Sequence, residues 1–373
     1  MIIGIDASRA VTTQRTGTEA YAYYLIKALI PLAAQRNHVL RLYFNQAPSP
    51  RLFPQSTNVE TAVLPQRRLW THLRLARELH ANPPDVFFTP AHVIPYTYRG
   101  ASAATIHDLG YHYFPEAHPR KQLAYLRWST RHNGRSATRI IADSQATKAD
   151  LIKLDHIPAE KIDVVYPGLD PDLAPVDNAA KITAVLTKYS ITPPYFLYLS
   201  TLQPRKNLIR LTQAFASSAV PHQLVLAGKK GWLSQPILNE IITLENQAGS
   251  LKKNQIILPG YIDDADKTAL LSGAVALLYP SLYEGFGFPA LEAQACGTPV
   301  LAANTSALPE VVGEAALLVD PLNSAALAAG IHKLANDQAL CQQLTQKGFE
   351  NIKRFTWQET AVRVLHSLEN CQQ

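Results

Sequence analysis

Short unbroken apolar runs recur along the whole chain, and between many of them apolar residues return every three or four positions. "MIIGID", "VLRLYF", "DVFFTP", "SAATIHD", "RIIADS" and "IDVVYPG" form a first series; "YFLYLS", "QLVLAG", "QIILPG", "VALLYPS" and "TPVLAAN" form a second. Such runs suit strands covered on both faces. After the first run, Ala22, Leu25, Ile26 and Leu29 fall on one face of a predicted helix. The last segment, "FTWQETAVRVLHSLE", predicts a helix opened by a capping box of Thr356 and Glu359, with Trp357, Ala361, Leu365 and Leu368 as its apolar stripe. Strands alternating with amphipathic helices predict a parallel α/β architecture. Proline- and aspartate-rich "PGLDPDLAPVDNAAK", followed by "ITPPYF", separates the two series, so two doubly wound halves are expected.

Composition narrows the class. A chain of 373 residues is long for one core, which agrees with two domains. Apolar residues make up 47 % and charged residues 17 %, a globular balance, and the net charge of +6 suits anionic small ligands or an acidic membrane surface without arguing for nucleic acid. Cys296, Cys341 and Cys371 have neither metal spacing nor a disulfide framework, so a reducing, cytoplasmic setting is expected. The N-terminus reads as a strand rather than a signal peptide, and no apolar run approaches a membrane span, so any membrane contact is expected to be peripheral.

Ligands of open parallel sheets bind beyond the carboxyl ends of the strands, and three such loops carry suitable residues. After the first strand, "SRAVTTQRTGTEAY" places Gly17 and Thr18 ahead of a helix, Thr18 as its expected N-cap; backbone N–H groups there can face a phosphate. G-x-G-x-x-G is absent, which disfavours a nicotinamide oxidoreductase. After "YFLYLS", Arg205 and Lys206 precede a helix that Asn207 can cap. Two cations at the positive end of a helix dipole favour an anion between them. After "VALLYPS", Glu284 and Glu292 flank the turn Gly285, Phe286, Gly287, Phe288, with Pro289 suited to a helix start. Carboxylates beside an anion site can accept paired hydrogen bonds from vicinal hydroxyls, such as those of a sugar or ribose.

"EGFGFPALE", followed by "GTPV" and "SALPEVVG", closely resembles the E-x7-E retaining glycosyltransferases of family 4, also called group 1. "TGTEAYAYYLIKAL", "IHDLG", "ADSQATKADL", "STLQPRKNL" and "LAGKKGW" extend the resemblance over nearly the whole chain. It implies the GT-B fold: two Rossmann-like domains facing across a cleft that closes on the ligand. Their expected extents are 1–170 with a returning helix at 356–373, and 171–355. It further implies that Glu284 holds donor-sugar hydroxyls with the backbone of Phe286, Gly287 and Phe288, and that Glu292 holds the ribose. Arg205 and Lys206 would neutralise the diphosphate and Gly17 would approach it. His107 would lie beside the transferred sugar, and Ile262 would meet the nucleobase through its backbone. The donor is expected to be a nucleoside-diphosphate sugar, with a lean toward mannose, and the acceptor a glycan or lipid-linked glycan of surface polysaccharide synthesis.

A hydrolase pairing of Glu284 with Glu292 leaves Arg205 and Lys206 without a purpose. A catalytically silent nucleotide-sugar or glycan-binding subunit is the remaining alternative, disfavoured by intact Glu284, Lys206 and His107. Asp264-Ala265-Asp266 has the shape of a metal-binding D-x-D, but it opens a helix, so capping explains it better and no metal or other cofactor is expected. "RRLWTHLRLARELH", 67–80, is a basic amphipathic stretch compatible with anionic lipid; the reading preferred from sequence is a solvated helix that packs Leu69, Leu73 and Leu75 or Leu79.

Overall fold

The structure is a computed structural model that describes the chain except for Thr13, Gln14, Thr16, residues 248–254 and Gln373. Two compact units divide it. Unit 1 comprises Met1–Tyr113, Pro119–Gly168 and Phe355–Gln373; unit 2 comprises Phe114–His118 and Leu169–Arg354.

Among the described residues, unit 1 holds a seven-stranded sheet: β1 (Ile2–Asp6), β2 (Val39–Phe44), β3 (Val59–Val63), β4 (Val86–Thr89), β5 (Ser102–Ile106), β6 (Arg139–Ala142) and β7 (Ile162–Val164). The order is β3-β2-β1-β4-β5-β6-β7, and every pairing is parallel. Unit 2 repeats the plan with β8 (Tyr195–Leu199), β9 (Gln223–Ala227), β10 (Ile256–Gly260), β11 (Ala276–Tyr279), β12 (Val300–Ala303) and β13 (Leu317–Val319), in the parallel order β10-β9-β8-β11-β12-β13. The direction of winding reverses between β1 and β4 in one sheet and between β8 and β11 in the other. At such a switch point the flanking loops diverge and leave a crevice.

Burial explains the chain pattern. All residues of β4, β5, β11 and β12 are buried, as expected of central strands covered by helices on both faces. Ala22, Leu25, Ile26 and Leu29 are buried on the helix Gly17–Gln35. That helix packs against the helix Trp357–Glu369, whose buried residues include Trp357, Ala361, Val364, Leu365 and Leu368. Thr356 caps the second helix by accepting from Glu359 N at 3.3 Å. The Glu359 carboxylate pairs with Arg363, so the reciprocal half of the capping box is not made.

Several local expectations are corrected. The helix after β1 already begins at Gly17, so Thr18 lies inside its first turn and does not cap it. Helix Asp264–Ser272 has Asp263 at its N-cap with no side-chain cap hydrogen bond. The lysine Nζ of Lys188 takes both Asp263, at 2.7 Å, and Asp266, at 2.6 Å. The stretch 67–80 is helical only from Thr71, opening as a π turn, and of its leucines Leu75 and Leu79 pack inward while Leu69 and Leu73 stay exposed. No described helix is long and apolar enough to cross a membrane.

Candidate active site

In unit 2 the candidate residues emerge from the loops after β8, β11 and β12, with β8 and β11 forming the switch point. Beyond β8 the chain makes one 3-10 turn, Pro204–Lys206, and Asn207 turns it through a left-handed conformation, φ 62°, into the helix Leu208–Ser217. Asn207 occupies the cap position, but its side-chain amide donates to the carbonyls of Pro280, at 3.1 Å, and Pro321, at 2.7 Å. The turn thereby becomes a strut between loops. Arg205 O accepts from Leu282 N at 2.9 Å, and Arg205 Nη1 donates to Tyr283 O at 2.5 Å.

These ties deliver Lys206 to Glu284. Lys206 Nζ lies 2.5 Å from Glu284 Oε1 and 3.1 Å from the Tyr279 hydroxyl; Arg205 Nη1 lies 3.6 Å from Glu284 Oε2. The Lys206 and Glu284 side chains are only 6 % and 9 % exposed. From the third loop, Ser306 Oγ accepts from Glu284 N at 2.9 Å. Burial would raise the Glu284 carboxyl, but the charges of Lys206 and Arg205 outweigh it and hold the group below its usual range. Two cations thus face one carboxylate.

The glycine-rich turn explains itself sterically. Gly287 sits at φ 119° as the residue before helix Phe288–Ala295, and a Cβ there would lie 2.7 Å from Leu308 Cδ2. The rings of Phe286 and Phe288 meet edge to face at 5.1 Å. Glu292, inside that helix, accepts from Lys267 Nζ at 2.7 Å. Burial disfavours the Lys267 charge, yet Glu292 reverses the effect and raises its pKa. The two glutamates are therefore held by different cations. Ile262 is buried in the core of unit 2.

Unit 1 holds the other candidates. Gly17 is the first residue of its helix; Thr13, Gln14 and Thr16, ahead of it in sequence, lie outside the described residues. His107 is gripped by loops from three adjacent strands: Nδ1 lies 2.6 Å from Asp143 Oδ2, and Nε2 lies 2.8 Å from Pro90 O. Tyr21 packs edge to face on its ring at 4.8 Å. While Asp143 is ionised both polar partners are acceptors, so the two contacts then need a ring that carries two protons; burial pushes the Asp143 carboxyl up, and His107 opposes that. Burial also opposes the charge on the ring, but Asp143, the Pro90 carbonyl and Asp108 outweigh it and raise His107 above its ordinary 6.5.

Sequence reasoning missed Asp143, although it stands in the quoted "ADS", and also Asp6, Arg9 and His92 near the β1/β4 reversal. Asp6 accepts from Ser8 N and Oγ, and Arg9 Nε donates to His92 Nε2 at 2.7 Å. Burial, assisted by Arg9, keeps His92 below its ordinary value although Asp6 pulls the other way.

A raised folded-state pKa at His107 contributes stability that is complete below the unfolded value and lost as pH rises through the folded one. The gap in melting temperature between the native chain and Asp143→Asn is therefore expected to be widest on the acid side of pH 6.5 and to narrow above it. Thermal melts between about pH 5 and 9 measure this, and a pH-independent gap would show that the imidazolium pair is not what Asp143 contributes.

Twin doubly wound sheets with an anion-suited cluster at a switch point are the architecture of GT-B glycosyltransferases. The model of the glycosyl transferases group 1 matches residues 187–351, and that of Glycosyltransferase Family 4 matches residues 15–173. The chain is 30 % identical over 308 residues to the O-antigen chain mannosyltransferase B of Escherichia coli, covering 81 % of this chain and 77 % of that protein. It belongs to the group 1 glycosyltransferases. Among solved structures, the sucrose-phosphate synthase of Thermosynechococcus elongatus superposes with a TM-score of 0.75 at 23 % identity, covering 99 % of this chain and 98 % of that one. The Anabaena HepE protein in complex with UDP and glucose does so with a TM-score of 0.74 at 20 % identity, covering 99 % of both chains. These last two likenesses concern the fold.

Proposed function

We propose that this glycosyltransferase moves mannose, with retention of anomeric configuration and without a metal, from a nucleoside-diphosphate donor to a glycan or lipid-linked glycan of a surface polysaccharide. The observation that carries the reading is the buried Arg205–Lys206–Glu284 cluster at the β8/β11 switch point of unit 2. The mannosyltransferase relative supports the sugar and the polysaccharide setting.

In such a transfer the sugar passes through an oxocarbenium-like state while negative charge grows on the departing diphosphate. Arg205 and Lys206, fixed by backbone ties from neighbouring loops, supply positive charge with little reorganisation. Glu284 accepts hydrogen bonds from donor-sugar hydroxyls, beside the backbone of Phe286, Gly287 and Phe288. Glu292 accepts from the ribose, and Ile262 meets the base through its backbone. Gly17, at the start of its helix, offers backbone to the diphosphate. His107, with both ring nitrogens already donating to Asp143 and Pro90, contributes fixed positive charge and is not the base; the acceptor's proton passes to an oxygen of the departing diphosphate.

Transfer assays with mannose, glucose and galactose donors on mannose-terminated acceptors test the proposal. The product of a mannose donor is expected to carry the donor's anomeric configuration by NMR. An inverted product would reject retention, and nucleotide-sugar binding with no transfer or hydrolysis would favour the silent binding subunit. Activity is expected to survive EDTA, because Asp266 is already held by Lys188 and Tyr189. Loss of activity restored by Mn²⁺ or Mg²⁺ would show that a metal neutralises the diphosphate instead.

A further inference from the structure

Two tyrosines are fully buried at the switch point of unit 2, and the chemistry just described uses neither. Tyr198 belongs to β8 and Tyr279 ends β11; their rings stack at 6.1 Å with 21° between the planes. Packing alone does not ask for a phenol at either place, because phenylalanine fills nearly the same volume and buries no hydroxyl. The Tyr198 hydroxyl donates to Thr201 O at 3.1 Å. The Tyr279 hydroxyl lies 3.1 Å from Lys206 Nζ, and an ammonium only donates. Tyr279 Oη therefore accepts from the lysine, and its own proton needs another acceptor.

Glu284 is the acid beside it, since the same Lys206 Nζ lies 2.5 Å from Glu284 Oε1. Burial, the Glu284 charge, Tyr198 and hydrogen bonding to Glu284 raise the Tyr279 hydroxyl well above its ordinary value against the pull of Arg205, so it stays a phenol with a proton to give. An arriving diphosphate changes the demands on this group. As it draws the Lys206 ammonium toward itself, the lysine's bond to Glu284 weakens, and Arg205 holds the carboxylate only from 3.6 Å. A buried acceptor left short of a donor costs about 1–3 kcal/mol, and more when it is charged.

We propose that Tyr279 is a positioning residue that takes over Glu284 when Lys206 turns to the diphosphate. Its O–H donates to the carboxylate, so the lysine is shared without stranding the acid, and Glu284 stays aimed at the donor-sugar hydroxyls. Tyr279 touches no substrate and acts through the other two side chains. Its ring, stacked on Tyr198, keeps the hydroxyl in place while the lysine moves. This inference rests on the reading that Arg205 and Lys206 meet a diphosphate.

The test is calorimetric titration of the full chain with GDP, UDP, ADP and dTDP. Tyr279→Phe should bind the preferred nucleotide about tenfold more weakly than the native chain. Its melting temperature should stay close to native, because the ring still stacks on Tyr198. In a Glu284→Gln background no charge is left to strand, so the same substitution should change affinity by less than about twofold. A hydroxyl that served only the fold would weaken binding equally in both backgrounds. Tyr198→Phe should leave affinity unchanged, since its hydroxyl serves Thr201. Native affinity in Tyr279→Phe, or equal losses with and without the Glu284 charge, would overturn the proposal. A native chain that binds none of the four nucleotides would overturn the diphosphate reading itself, and this inference with it.

Discussion

Lys206→Ala is expected to lower stability by about 3–5 kcal/mol, because it leaves the Glu284 carboxylate buried with only the more distant Arg205 as counter-charge. The same variant should lose transfer, more through kcat than through donor binding, since the diphosphate charge that Lys206 meets grows on the way to the transition state. Glu284→Ala should also lose transfer, by removing charge-assisted hydrogen bonds worth about 1.5–3 kcal/mol each. Combining Lys206→Ala with Glu284→Gln should return part of the lost stability and none of the activity, because the uncompensated charge is gone while the site stays empty of its groups. Chemical denaturation and steady-state kinetics on the three variants separate the two effects. A singly substituted Lys206→Ala protein with native stability and native kcat/KM would contradict the role given to the pair.

Trp357→Ala is the second large expectation, at about 3–5 kcal/mol of stability. The indole is stacked on Tyr24 at 5.6 Å and meets Tyr21 edge to face at 5.8 Å, while a Cβ at Gly168 would fall 2.4 Å from Trp357 N. A space opened there has the Tyr21 ring on its border, and that ring also packs on His107. Activity should therefore fall with stability, although Trp357 lies far along the chain from the other candidates. Trp357→Phe should be much milder: it keeps most of the packing and removes an indole N–H that has no acceptor among the described residues. Melting curves and kcat/KM for both variants decide this, and an alanine variant that melts like the native chain would show that the final helix is not held through this ring.

The strands were legible in sequence where they are central and unclear where they lie at the rim. The eleven apolar runs all became strands. The two missed ones are β3, whose "VETAV" is largely open to solvent, and the three-residue β13; both are edge strands, so neither needs an apolar run. Leu69 and Leu73 misled for the opposite reason, since a helical pattern does not say which apolar residues the tertiary structure will cover. The site loops could be found because glycine, proline and paired charges mark strand-to-helix turns. Their partners could not, because they are contacts across 78 residues for Lys206 and Glu284, 36 for His107 and Asp143, and 25 for Lys267 and Glu292. Such pairs obey no local period. Only the parallel sheets, by bringing successive strand ends to one edge, made them neighbours.

The carboxylate of Glu284 resting on Lys206 amounts to a resident counter-ion, and that has a consequence for selectivity. Inorganic phosphate or pyrophosphate approaching the two cations must also approach this carboxylate, and brings it charge repulsion against few P–OH donors. A nucleotide sugar brings hydroxyl donors along with its anion, so it repays the carboxylate for sharing its lysine. Discrimination against the abundant simple phosphates of a cell then comes from the acid and not from the bases.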